Sequence, residues 1–260
     1  MPVITLLTDF GTRDGFVGAM KGVVLETAPG TQIIDITHDI PPGDVEFGAW
    51  VLSGYWKLFP PATVHIGVVD PGVGGPRKAI ALEVDGRYLV VPDNGLATGV
   101  LATSESWRCV ELTETRFMRS PRSTTFHGRD IFAPVAAHLA AGADFEKFGP
   151  LLKKPLRLTL RPPTRGEGKV HGRVAHIDRF GNLITDIPAD WVEESWRFEY
   201  ADRPLGRLKR TYADAGVGDL VVIVGSLGTV EIAVREGSAA KRLGAARGDP
   251  IIGKGPSVRA

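Results

Sequence analysis

The chain has a single cysteine, Cys109, among 260 residues. That scarcity excludes an intrachain disulfide and any zinc site built from several cysteines. It suits a reducing compartment, so a cytoplasmic location is expected. Long apolar runs are missing too. Nothing approaches the roughly 18 residues of a membrane span, and no membrane partner is expected. The N-terminus, MPVITLLTDFGTRDGF, has no basic stretch before its apolar run and reaches Asp9 too soon for a secretory leader. An excess of one charge is also absent, since Lys+Arg 31 against Asp+Glu 30 leaves a formal net charge of +1. Bulk electrostatics therefore offer no case for nucleic acid or anionic lipid. Common fingerprints are lacking: GTRDGFVG does not have the G-x-G-x-x-G spacing, and neither a phosphate-binding G-x-x-x-x-G-K-[ST] nor a G-x-S-x-G elbow occurs. The six histidines include no H-x-x-x-H pair. His171 and His176, five apart on an expected strand, fall on opposite faces.

What the chain does have is core material. Hydrophobic residues make up 43% and charged residues 23%, a folded composition that supports one large domain or two modest ones. The first half alternates strand and helix signals. Val3 to Thr8 is a short apolar run ending at Asp9, and a helical pattern follows from Asp14 to about Thr27. TQIIDIT is a second strand signal, and Asp44 offers an N-cap to a helix through VEFGAWVLSGYWKLF. TVHIGVVD is a third strand, AIALEVDGRYLVVPD a hairpin about Asp85-Gly86, and TTFHGRDIFAPVAAHLAAG a helix with Pro134 near its first turn. Such alternation predicts an α/β fold with helices on the faces of a largely parallel sheet.

Composition changes at KKPLRLTLRPPTRGEGK, a basic, proline-rich stretch whose residues 156–168 read as a linker. Beyond it HGRVAHIDRFGNLITDI, WRFEYADRP, LKRTYAD and GDLVVIVGSLGTVEIAV are short strand signals punctuated by turns, with a helix only around Ser238 to Leu243. The expectation is an N-terminal α/β domain over 1–155 and a smaller all-β, barrel-like C-terminal domain over 169–260.

Ligands of open α/β sheets bind beyond the carboxyl ends of the strands. Asp9 and Asp70 each follow an apolar run, so both are expected along that edge, close to glycines that let backbone approach a ligand. The competing reading is a pair of turn-forming or capping aspartates. The stretch VVDPGVGGPR sets three glycines and two prolines between Asp70 and Arg77. An arginine brought back to Asp70 would keep it ionised and oriented through charge-assisted hydrogen bonds. Alternatively the two form a surface ion pair worth about 0 to 1 kcal/mol. His127 sits beside Gly128 at an expected helix start, where an imidazole can meet a ligand, with a purely structural histidine as the competing reading, whereas His65 inside a strand reads as a packed residue. His38 and Asp39 with Asp9 and Asp70 would be the donor set of a metal-dependent phosphohydrolase, although their spacing is not diagnostic.

Taken in order, TDFGTRDGFVGAMKG, DITHDIPPGDV, VDPGVGGPR, PDNGL, STTFHGRDIFAPVAAHLA, IDRFGNLITDI and VGSLGTVEIAV resemble the S-adenosylmethionine hydroxide adenosyltransferases, relatives of the fluorinases and chlorinases. The resemblance implies an α/β domain followed by a β-rich one, and a homotrimer with its sites between subunits. It implies hydrolysis of S-adenosyl-L-methionine to adenosine and L-methionine without a metal or other cofactor. Asp70, Arg77 and His127 would then be catalytic, holding a water or hydroxide against the ribose carbon bonded to sulfur, with His127 tuning or accepting its proton. The same resemblance assigns Asp9 to the ribose hydroxyls, Asp14 and Asp178 to the methionine end, Ser226 to the methionine carboxylate, and Phe180 and Asn182 to adenine. Halogenating relatives carry tyrosine where Asp70 stands and Tyr-Ser where His127-Gly128 stand, so a halide nucleophile is not expected. The alternative from another class is a sensor that binds S-adenosylmethionine or adenosine without turnover.

Overall fold

The computed structural model describes residues 1–256. The last four positions of the 169–260 segment lie outside the described residues. The chain divides into two compact units, Met1–Thr159 and Leu160 onward.

The first unit runs β1 (Val3–Thr8), α1 (Phe16–Thr27), β2 (Gln32–Thr37), α2 (Val45–Tyr55), β3 (Val64–Val68), β4 (Ala79–Val84), β5 (Arg87–Pro92), α3 (Thr98–Thr103), β6 (Trp107–Glu111) and α4 (Ala133–Ala140). Its strands form one sheet in the order β2-β1-β3-β5-β4-β6. Strands β2, β1, β3 and β5 are parallel, while β4 and β6 are antiparallel to their neighbours. The sheet is mixed because the chain turns straight back after β4. Asp85 and Gly86 take φ of +44° and +75°, the backbone a two-residue hairpin requires.

Alternation along β1 builds a core on each face of the sheet. Ile4 and Leu6 join Val24 of α1 and Val135 of α4, whereas Leu7 joins Phe47 of α2 and Leu101 of α3. Two local features agree with the sequence reading: Asp44 Oδ1 caps α2 by accepting from Phe47 N at 2.9 Å, and Pro134 falls in the first turn of α4. That helix is entered through a wide π turn, Gly128–Phe132, a local irregularity frequent at functional sites.

The connections matter more than the layers. From β1 the chain passes through α1 to β2 on one side, then through α2 to β3 on the other side of β1. The carboxyl ends of β1 and β3 are therefore neighbours whose following segments leave in different directions. This is the topological switch point at which open α/β sheets open a crevice.

The second unit comprises β7 (Thr164–Gly166), β8 (Lys169–Ile177), β9 (Leu183–Pro188), β10 (Arg197–Tyr200), β11 (Arg203–Arg207), β12 (Leu220–Val224), β13 (Thr229–Val234), α5 (Ala239–Leu243) and β14 (Pro250–Lys254). Its strands pair antiparallel in the order β11-β10-β14-β8-β9-β13-β12, with β7 beside β8. Leu208, one residue past β11, bridges Val222 of β12, and Lys209 N donates to Val222 O at 2.7 Å. The path thus nearly closes into a barrel around Val170, Phe198, Val222, Ile232 and Ile251. One strand expectation fails. In LKRTYAD, Thr211 and Asp214 form a reciprocal capping box that winds Tyr212–Asp214 into a 3₁₀ turn.

Candidate active site

Strand β3 is buried along its whole length, and Val69 beyond it is buried as well. With Asn94 Nδ2 donating to Val69 O at 2.8 Å, the strand exit is fixed and Asp70 is set at the sheet edge. The bare loop then doubles back: Val73 N donates to Asp70 O at 3.2 Å and Gly75 N to Gly72 O at 3.0 Å. Gly74 takes φ +76°, and a Cβ there would run into the Thr124 carbonyl oxygen, so this close approach needs glycine.

The loop delivers Arg77 onto Asp70. Arg77 Nε lies 3.0 Å from each carboxylate oxygen, and Nη2 donates to Oδ2 as well. The Asp70 and Arg77 side chains are 4% and 11% exposed, so this is a partly desolvated clamp and not a surface pair. Arg77 also lies 5.4 Å over the Phe132 ring.

The same guanidinium reaches His127, with Nη2 2.8 Å from Nδ1. Arginine has no acceptor, so Nδ1 must accept and the neutral imidazole carries its proton on Nε2. Burial and then the Arg77 charge hold the His127 pKa below the ordinary histidine value, with Asp70 opposing them less strongly. At neutral pH the ring is therefore uncharged and offers an N–H donor at Nε2.

A buried aspartate secures the segment that carries His127. Asp130 is fully buried, and its Oδ2 accepts from Ser123 N at 2.8 Å while Arg129 donates to both carboxylate oxygens at 2.7 and 2.9 Å. Burial pushes the Asp130 carboxyl up, but these bonds more than offset it and leave the pKa below the usual carboxylate range. The charge in GRD, early in an otherwise apolar run, was the available sequence signal for this anchor.

Asp9 follows β1 directly, and its Oδ2 accepts from Gly43 N at 2.8 Å, where Gly43 turns with φ +73°. A cavity of about 520 Å³ opens at the β1 and β3 ends, with Asp9, Asp70 and His127 in its wall beside Phe10, Phe16 and Phe126. That volume is in the usual range of small-molecule sites, roughly 300–1,000 Å³. The three aromatic residues escaped the sequence reading because Phe126 lies far along the chain from Phe10 and Phe16.

The other expected residues are placed as follows. Asp14 is exposed just ahead of α1. In the second unit Asp178, Phe180 and Asn182 form the β8–β9 turn: Asp178 Oδ1 accepts from Phe180 N and Asn182 N, both at 2.9 Å, and Oδ2 accepts from Asn182 Nδ2 at 3.0 Å. Phe180 stands at the tip, 75% exposed. Ser226 is exposed in the β12–β13 turn. Close to that turn lies a pair the sequence did not suggest, Tyr212 Oη donating to buried Glu231 Oε1 at 2.5 Å. Burial raises the Glu231 pKa, and the Asp178 charge adds to it.

His38 does not face the Asp70 group. It is buried, with Nδ1 2.9 Å from Thr8 Oγ1 and Nε2 3.1 Å from Asp35 Oδ1, and so ties the ends of β1 and β2 together. Among the described residues no group of three or more His, Cys, Asp or Glu side chains is arranged to hold a metal ion. His65 is packed in β3 against Thr5 Oγ1 at 2.7 Å, and burial, followed by the Arg87 charge, pushes its pKa down to about 4. No helix among the described residues is long and apolar enough to cross a membrane.

A polar clamp at the switch point of an α/β sheet, in a cavity of small-molecule size, defines an enzyme of the α/β class that acts on a small molecule. Residues 4–149 match the SAM hydroxide adenosyltransferase N-terminal domain, and residues 172–252 match the C-terminal domain of the same family. The chain is 42% identical over 257 residues to an (R)-S-adenosyl-L-methionine hydrolase of Salinispora tropica, covering 96% of this chain and 97% of that protein. It is 37% identical to one of Thermus thermophilus, at 96% and 99% coverage, and 29% identical to a fluorinase of an Actinoplanes species, at 89% and 90%. The crystal structure of an uncharacterized conserved protein from Thermotoga maritima superposes with a TM-score of 0.93 at 38% identity, covering 96% of this chain and 99% of that one. The chain belongs to the SAM hydroxide adenosyltransferase family.

Proposed function

We propose that the protein hydrolyses S-adenosyl-L-methionine to adenosine and L-methionine, by attack of a water held by Asp70 and His127 on the ribose carbon bonded to sulfur. The observation that carries this reading is the double engagement of Arg77, which locks a carboxylate and a neutral imidazole into one unit on the cavity wall. Such a unit orients a small oxygen nucleophile. His127 donates to the oxygen from Nε2, and Asp70 accepts one of its protons.

The chemistry needs little more. The sulfonium leaves as a neutral thioether, so no acid is required for the leaving group. Bulk water has a pKa of about 15.7, and a carboxylate cannot ionise it beforehand. As the C–O bond forms, however, the attacking oxygen becomes an oxonium, which is strongly acidic, and transfer to Asp70 is then downhill. The C–S electron pair stays with methionine sulfur, the oxygen becomes the 5′-hydroxyl of adenosine, and the proton passes through Asp70 to solvent. His127 does not take that proton here, because its Nδ1 lone pair is occupied by Arg77. Positioning and fixed electrostatics supply the rate, as expected where the nucleophile is weak and the leaving group good.

Asp9 offers two acceptors to the ribose hydroxyls. Following the resemblance, the active form is a homotrimer in which Asp178, Phe180, Asn182 and Ser226 of a neighbouring subunit complete the adenine and methionine contacts. The exposed ring of Phe180 suits stacking on a flat base. Incubating purified protein with S-adenosylmethionine tests the proposal: adenosine and methionine should appear in equal amounts, unaffected by a chelator and lost in Asp70→Ala. Tight binding without turnover would contradict it.

A further inference from the structure

Phe10, Phe16 and Phe126 form a closed set of edge-to-face rings in the cavity wall. Their centroids are 5.9 Å apart for Phe10 and Phe16, 6.1 Å for Phe10 and Phe126, and 5.3 Å for Phe16 and Phe126, with interplanar angles of 63°, 73° and 82°. Gly128 makes room for them, since a Cβ there would stand 3.4 Å from a ring carbon of Phe10 and of Phe126 and 3.2 Å from Met20 Sδ. Phe126 already carries one cation, as Arg129 Cζ lies 5.0 Å over its ring. Phe16, by contrast, remains 47% exposed although it opens α1 and is followed immediately by the buried Val17. That half-exposed ring lies in the wall of the cavity, where apolar and aromatic side chains line small-molecule sites.

The hydrolysis reading, on which this inference rests, limits where the substrate's positive sulfur can go. In-line displacement puts the sulfur on the far side of the ribose carbon from the oxygen that Asp70 and His127 hold. The Asp70 charge is paired with Arg77, and Asp9, which bonds Gly43 N through one oxygen, is directed on the hydrolysis reading to the ribose hydroxyls. Among the apolar side chains of this chain's own cavity wall, Phe10, Phe16 and Phe126 are the ones whose ring faces carry negative character. From this geometry we infer that Phe16, with Phe10 and Phe126 behind it, is the cation–π bed for the sulfonium and sets the preference for S-adenosylmethionine over neutral thioethers of the same shape. Asp14, two residues before Phe16 on the same exposed segment, is the residue the resemblance assigns to the methionine end.

An aromatic bed suits this reaction better than a carboxylate would. The sulfonium charge disappears as the C–S bond breaks, so whatever attracts it holds the ground state more strongly than the transition state. A desolvated carboxylate would hold the substrate back. A ring quadrupole gives selectivity at a smaller penalty and releases the product, because methionine carries a neutral sulfur.

The test uses two probes that are not hydrolysed: S-adenosylhomocysteine, a neutral thioether, and sinefungin, in which a carbon bearing an ammonium replaces the methylated sulfur and so keeps a positive charge one bond from the sulfonium position. Calorimetric affinities are measured on wild type and on Phe16→Leu, which keeps apolar bulk without a π face. Wild type should bind the cationic probe more tightly. Phe16→Leu should weaken that probe about 10-fold and the neutral one by no more than about 2-fold. With S-adenosylmethionine the same variant should raise KM without a matching fall in kcat. Equal weakening of both probes would overturn the inference, since it would make Phe16 an apolar wall or an adenine platform, and so would unchanged affinities. Failure of wild type to hydrolyse S-adenosylmethionine, with the probe preference intact, would count against the hydrolysis reading and leave the cation bed standing.

Discussion

Arg77 is the residue whose removal separates positioning from charge. In Arg77→Ala the Asp70 carboxylate, 4% exposed, loses its counter-charge and all three hydrogen bonds from the guanidinium. Removing one partner of such a pair costs about 3–5 kcal/mol of stability. His127 loses its donor at Nδ1 and becomes free to adopt the other tautomer or to protonate, since the Arg77 charge that helps hold its pKa down is gone while the opposing Asp70 charge remains. Both groups that aim the nucleophile are then loose, and kcat should fall about 10²–10³-fold, by analogy with the loss of one preorganised donor. Arg77→Lys distinguishes the causes. Its charge still serves Asp70, so the stability loss should shrink to about 1–3 kcal/mol. One ammonium cannot reproduce the planar fork that serves Asp70 and His127 together, so kcat should stay almost as low as in the alanine variant. Urea denaturation and initial rates across pH read both effects, with the acid limb of the rate profile moving to higher pH in Arg77→Ala. A lysine variant with near-wild-type kcat, or an alanine variant as stable as wild type, would refute the reasoning.

Other outcomes follow from single contacts. Asp9→Asn can still accept from Gly43 N and should fold normally, but with a neutral side chain at the ribose it should raise KM about 10-fold, measured by initial rates. Asp130→Ala removes the anchor of the 123–130 segment without touching substrate; kcat should drop at least 10-fold and the segment should exchange amide hydrogens faster, whereas an unchanged rate would show that His127 is held by other means. The folded pKa of His65, about 4, lies below the ordinary 6.5, so between those values the unfolded chain binds the extra proton. Stability from this group is therefore lost as pH falls from 6.5 toward 4, by about 3 kcal/mol in total. Denaturation curves of His65→Asn should show a correspondingly shallower loss, and an equal slope would contradict the assignment.

Features set by neighbouring residues were legible in the chain. Asp44 as a cap, Asp85-Gly86 as a hairpin and Ser238 ahead of α5 each express a local backbone rule, and each is present. Asp70 at the end of β3 followed from an apolar run stopping at a carboxylate. Helix α3 escaped because six residues, TGVLAT, show less than two turns of any period. LKRTYAD reads as one of several short strand signals, a reading that misses the Thr211–Asp214 capping box inside it. In the site, the return of Arg77 to Asp70 was an open alternative to a surface pair, and only burial separates the two. The choice of proton acceptor was less accessible still. It depends on which histidine nitrogen faces Arg77, fifty positions earlier, and no spacing encodes that.

The most direct test of the central claim is turnover of S-adenosylmethionine in water enriched in heavy oxygen, followed by mass analysis of both products. The account predicts one heavy oxygen in adenosine, at the 5′-hydroxyl, with none in methionine, and loss of both products in Asp70→Ala. Heavy oxygen in methionine, unlabelled adenosine, or undiminished turnover by Asp70→Ala would contradict it.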